Sequence, residues 1–103
     1  MKLLDLVVSE YINIVDHLLE SEPVENNRII VEREIFKALL EKYAYLKFSQ
    51  KTKIYKKLGF IIHDKNNYTM PYRDKLQKKT IRQVIINYET YMIIKDLYET
   101  STT

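Results

Sequence analysis

The 103-residue chain has no cysteine, no tryptophan, one glycine and two prolines. Without cysteine there is no disulfide framework and no thiolate metal site, which fits an intracellular protein. One glycine is too few for a Gly-rich phosphate loop or a dinucleotide-binding turn. No apolar run approaches the length of a membrane span, and Asp5, Glu10 and Asp16 interrupt the first segment, so neither a span nor a secretory signal is expected. The two histidines, His17 and His63, are too far apart for ligand spacing and both read as surface residues. Ser9, Ser21, Ser49 and Ser101 lie in no nucleophile elbow, and the four arginines make no constellation that would activate a tyrosine. No enzyme activity, cofactor or metal is expected.

What is present is apolar mass and segregated charge. Hydrophobic residues at 46% and aromatics at 12% suffice for one ordered domain over residues 1–99, with 100–103 as a frayed tail. The net charge of +3 hides an uneven distribution: residues 47–82 sum to +9, residues 1–46 to −4 and residues 83–103 to −2. A basic middle between acidic flanks is the polarity of a module with one anion-binding face, and a phosphate backbone rewards a row of lysines most. Lysine outnumbers arginine 13 to 4, and with the many Ile, Tyr and Asn this is the bias of an AT-rich coding sequence, common in viruses and mobile elements.

Periodicity orders the chain. Residues 2–20 form a helix with a wide apolar arc through Leu4, Val7, Val8, Tyr11, Ile14, Val15, Leu18 and Leu19. A polar connector over 22–27 leads to a short strand at 28–31, and Ile35, Phe36, Leu39 and Tyr43 predict a helix over 32–46. Ser49 reads as the N-cap of a short helix ending at Leu58, where Gly59 supplies a left-handed stop and Phe60 closes back on Tyr55. Two β-prone runs, 60–63 and 68–72, flank the turn-forming residues 64–67 and predict a hairpin, with Pro71 marking an edge strand. Asp74 with Gln77 reads as a capping box opening a last helix over 75–98, which is apolar nearly all round from Val84 onward. A helix apolar on every side needs covering, which predicts a homodimer through helices 2–20 and 84–98.

A short basic helix, a glycine stop and a hairpin in this order carry a resemblance. Residues 28–73 resemble the winged helix-turn-helix DNA-binding family, on the helix Gln50–Leu58, the Leu58-Gly59-Phe60 junction and the hairpin tip Lys65–Asn67. The implied fold is mainly α with a small β-hairpin (α+β), extended by long terminal helices at a dimer interface. The resemblance implies that Gln50, Lys51, Thr52, Lys53, Lys56 and Lys57 face duplex DNA and that Lys65, Asn66 and Asn67 reach the flanking groove or backbone. Arg73, Lys75, Lys78, Lys79 and Arg82 then hold further phosphates. The function expected is that of a small dimeric transcriptional regulator. Two alternatives stand beside it: an interaction subunit of a replication or transcription assembly, and a nonspecific single-strand binder that stacks bases on Tyr68 and Tyr72.

Overall fold

The amphipathic first segment folds as predicted, into a sixteen-residue helix, α1 (Leu3–Leu18). The computed structural model describes residues 2–74 and 78–101. After α1 come β1 (Arg28–Glu32), α2 (Arg33–Glu41), α3 (Phe48–Leu58), β2 (Ile61–Ile62), β3 (Met70–Asp74), β4 (Lys79–Asn87) and α4 (Tyr88–Ser101). The class is mixed α+β, with more sheet and less helix than the sequence suggested.

Strand β4 is the centre of a four-stranded antiparallel sheet. One edge pairs with β1, and the other pairs with β2 near its end and β3 near its start. This corrects two expectations. Residues 79–87 are not the front half of a long helix, and the expected pairing of 60–63 with 68–72 does not form, because both runs pair with β4 instead. The physical reason lies in the run Thr80, Ile81, Val84, Ile85 and Ile86: β-branched side chains suit a pleated surface, and a strand flanked on both sides is apolar on both faces. Gln77, the second half of the expected capping box, and Lys75, the expected start of that helix, lie outside the described residues. Pro71 does sit on an edge strand, since β3 pairs with β4 alone.

The register stacks Ile29, Ile86 and Ile61 in one buried row across three strands. Over this row lie the aromatic side chains of the helices. Tyr11 of α1 stacks on Phe60 at 3.9 Å between ring centroids, and Tyr55 of α3 meets both edge-on. Their hydroxyls are spent inside: Tyr11 donates to the Asn87 carbonyl (2.7 Å) and Tyr55 to the Glu10 carboxylate (2.7 Å). Burial obliges each hydroxyl to find a partner.

Burial pushes the Tyr11 phenol well above its ordinary range, and burial with the neighbouring Glu10 carboxylate does the same for Tyr55 and Tyr45. The sign of the linkage follows. The unfolded phenols ionise near pH 10 while the folded ones stay protonated, so this stability is whole below about pH 10 and drains as pH rises beyond it. Tyr11 and Tyr55 each account for up to about 1.4 kcal/mol per pH unit there. Denaturant titrations from neutral pH upward, with tyrosinate absorbance as a second readout, are expected to show steep alkaline unfolding with these phenols ionising only as the chain unfolds.

The end of α3 is set by Gly59 at φ 74°. Gly59 donates to the Lys56 carbonyl and Phe60 to the Tyr55 carbonyl, the pattern that closes a helix on a left-handed residue. A Cβ at Gly59 would meet nothing, so alanine there costs only the left-handed conformation, about 1 kcal/mol. The start of α3 differs from expectation. Its N-cap is Lys47 rather than Ser49, and the Gln50 side chain reaches back to accept the Lys47 amide (3.0 Å). Helix α2 stops at Glu41, earlier than predicted, and α4 runs through Ser101 rather than fraying at Thr100.

Candidate nucleic-acid interface

Helix α3 sorts its own residues. Phe48, Lys51, Thr52 and Tyr55 turn inward, and Ser49, Gln50, Lys53 and Lys57 turn outward, with Lys56 at the border. The outward set recurs at three- and four-residue spacing and forms one solvent-facing stripe. Gln50, Lys53 and Lys57 therefore face solvent, and Lys56 is half-buried beside them.

Lys51 and Thr52 do not. The Lys51 side chain is 1% exposed and its ammonium donates to Glu10 (2.7 Å) and to the Leu40 and Tyr43 carbonyls. Thr52 is buried too, its hydroxyl donating to the Ser49 carbonyl (3.1 Å). Neither reaches a ligand, which corrects the role expected for both. Lys51 instead joins three helices. The ammonium holds the Leu40 carbonyl in the last turn of α2 and the Tyr43 carbonyl just past it, while neutralising the one buried acid of α1. Glu10 in turn accepts the hydroxyls of Tyr45 (2.9 Å) and Tyr55 (2.7 Å). Every polar atom of this network has a partner, and it fixes how α3 sits on α1. The signal was present in the sequence: Lys51 is four residues before Tyr55, on the buried stripe of α3, and Glu10 adjoins Val7, Tyr11 and Ile14 on that of α1.

The segment between β2 and β3 makes a second basic feature. Residues 63–69 leave the sheet after Ile62, which pairs with Ile85, and return at Met70, which pairs with Gln83, so seven residues stand opposite Val84 alone. Lys65, Asn66 and Asn67 are exposed on this excursion. They are therefore the tip of a side loop, not of a hairpin. Tyr68 packs edge-on against Phe48 at 5.3 Å and faces Phe36 at 6.2 Å, which seats the loop beside the start of α3.

A third feature is the two-stranded arm. Beyond Gln83, β4 pairs only with β3, and Pro71, Tyr72, Arg73, Lys78, Lys79 and Thr80 are exposed. Lys78 has φ 55°, turning the chain into β4, and Lys75 lies outside the described residues. Asn87 donates to the Phe60 carbonyl, so β4 ends at the C-terminus of α3, whereas Tyr68 lies at its N-terminus. The β2–β3 edge thus runs back along α3, and the arm continues past the helix start.

Arg82 is not an open phosphate contact. Its guanidinium donates to Thr69 Oγ1 (2.8 Å), the Thr69 carbonyl (2.9 Å) and Asp64 (2.8 Å). The Arg82 hydrogen bond in turn holds the Asp64 carboxyl below its usual range.

The first and last helices are acidic. Helices α1 and α4 carry Asp5, Asp16, Glu89, Asp96 and Glu99, with Glu20 just past α1, and Lys95 is drawn into a pair with Asp16 (2.8 Å) that also takes the Tyr91 hydroxyl. Burial alone would raise the Asp16 carboxyl, but the hydrogen bonds from Lys95 and Tyr91 hold it low, and the bonds of Lys95 to Asp16 and to the Tyr91 hydroxyl raise Lys95. Among the described residues no group of three His, Asp or Glu gathers to hold a metal, and no helix is long and apolar enough to cross a membrane. No protein-family model matches the sequence, and no curated protein matches it.

Proposed function

We propose that the chain is a winged helix-turn-helix protein that binds duplex DNA, with α3 as the reading helix and the β3–β4 arm as the wing, and that it serves as a small dimeric transcriptional regulator. The observation that carries this is the exposed row Gln50, Lys53 and Lys57 along α3, together with exposed Lys65 on the loop seated at the start of α3 and exposed Arg73, Lys78 and Lys79 on the arm that continues beyond it. The order helix, strand, helix, helix, then a sheet edge ending in an exposed arm supports it too. Gln50 can read a base edge, while the lysines neutralise phosphates.

The single-strand alternative loses one of its two stacking platforms, because the Tyr68 ring is spent on Phe36 and Phe48 and only Tyr72, 38% exposed, stays open. Fluorescence anisotropy with duplex and single-stranded DNA across a salt series tests the reading. A duplex preference that persists as salt rises is expected; equal, steeply salt-dependent binding to both would make it a nonspecific binder, and binding to neither would remove the function.

The dimer rests on a narrower base than the sequence suggested. Val84, Ile85 and Ile86 are satisfied inside the sheet, which leaves Met92 (52% exposed), Ile93 (55%) and Leu97 (63%) on the outer face of α4. A second copy packing α4 on α4 would cover them and set two reading helices on one duplex. Sedimentation equilibrium is expected to give a dimer at micromolar concentration and a monomer for Ile93→Glu with Leu97→Glu. A monomeric native chain contradicts this.

A further inference from the structure

The excursion 63–69 is a costly way to join two strands that share one edge of β4. A direct continuation would need one residue opposite Val84, and the chain spends seven there. It is nevertheless held at both ends. One guanidinium, Arg82, bonds Asp64 at the near end and Thr69 at the far end, and the Asp64 amide donates across the neck to the Thr69 carbonyl (3.4 Å). Tyr68 pins the flank of the loop to Phe48, the first residue of α3. Between these anchors Lys65, Asn66 and Asn67 are exposed, and the Lys65 amide donates to Asp64 Oδ1 (3.1 Å).

We infer that this loop is a second reading element, separate from the arm, whose Asn66 and Asn67 carboxamides recognise base edges next to those met by α3, with Arg82 as its positioning residue. The inference rests on the duplex-binding reading above and adds to it the part that supplies sequence preference. A carboxamide carries one acceptor and two donor hydrogens, the complement of the adenine edge in the major groove, so the class of ligand is duplex DNA with adenine beside the α3 contact. The loop lies at the flank of α3, where a ligand held by Gln50 and Lys53 would pass. Being tethered at both ends in the free protein, it has little conformational freedom left to lose on binding, whereas an untethered loop of this length would have to be ordered by the ligand. Arg82 at this place serves geometry, because its donors are occupied within the protein.

The test selects a randomised duplex library with the native protein and with three variants: Asn66→Ala with Asn67→Ala, Arg82→Lys, and Lys78→Ala with Lys79→Ala. Anisotropy against salt is then measured on the duplex that the native protein enriches. The asparagine variant changes no charge, so its salt slope should equal the native one, while its affinity falls by about tenfold or more and its preference for adenine is lost at the positions flanking the α3 site. Arg82→Lys keeps the charge but cannot span Asp64 and Thr69, and is expected to lose the same base preference with a near-native circular dichroism spectrum. The arm variant should do the reverse, lowering the salt slope while retaining the preference. Unchanged selection and affinity for the asparagine variant would overturn the inference and leave duplex binding standing. Enrichment of no sequence by the native protein would overturn it as well, and failure of the native protein to bind any duplex would overturn both.

Discussion

Reversing the two outermost lysines of α3, Lys53→Glu with Lys57→Glu, is expected to lower duplex affinity by about a hundredfold or more and the salt slope by about two. Both side chains are exposed on one stripe of the helix, and no hydrogen bond or ion pair involves either ammonium among the described residues. The substitutions exchange two attractive contacts with a phosphate backbone for two repulsive ones. Exposed positions without packing or cap roles tolerate change within about 0.5 kcal/mol, so melting temperature and circular dichroism should stay near native. That separates a binding defect from a folding defect. Lys56 is the poorer target because it is half-buried and its loss would disturb both.

The opposite outcome is expected one turn away. Lys51→Met should cost about 3–5 kcal/mol of stability, a large share of the roughly 5–15 kcal/mol that holds a domain of this kind folded. The substitution strands the Glu10 carboxylate, 2% exposed, without its cation and removes the donor from the Leu40 and Tyr43 carbonyls. Adding Glu10→Gln should recover part of the loss. A neutral carboxamide needs no counter-ion and still accepts the Tyr45 and Tyr55 hydroxyls, so the two changes should be strongly non-additive in a double-mutant cycle. Equilibrium unfolding of the four proteins measures this. A Lys51→Met protein as stable as the native one, but weak on DNA, would return Lys51 to the surface role that its charge first suggested.

These two lysines show what a sequence can and cannot disclose. Charge counting treats Lys51 and Lys53 alike, and only the helical position of Lys51, on the stripe of Tyr55, distinguishes them. The local signals were reliable wherever one face of one element decided the outcome. The apolar arc of α1, the strand at Arg28–Glu32, the stop at Gly59 and the edge position of Pro71 all followed from short-range rules. They failed where a distant partner decided. Val84, Ile85 and Ile86 are buried because β1, β2 and the helices cover them, and an apolar run of that kind fits a buried helix as well as a central strand. Asp74 and Gln77 then tipped the reading toward helix. Likewise the turn-forming residues 64–67 do mark a departure from the sheet, but Met70–Asp74 finds β4 across the next turn and Ile61–Ile62 finds it more than twenty residues on, rather than each other. Pairing at that distance leaves no mark in a window of local sequence. The candidate interface stayed legible despite this, because a stretch of chain so rich in lysine places most of them outside whatever the local fold, and Lys51 and Arg82 are the ones the fold took for itself.

Backbone amide shifts of the native protein titrated with a duplex test the central claim most directly, since they report every residue at once. Gln50, Lys53, Lys57, the loop 65–67 and the arm residues Arg73, Lys78 and Lys79 should move together and saturate at one ratio, with α1 and α4 unaffected on their acidic faces. Shifts confined to α1 and α4, or spread evenly over the surface, would contradict a single basic face that meets nucleic acid.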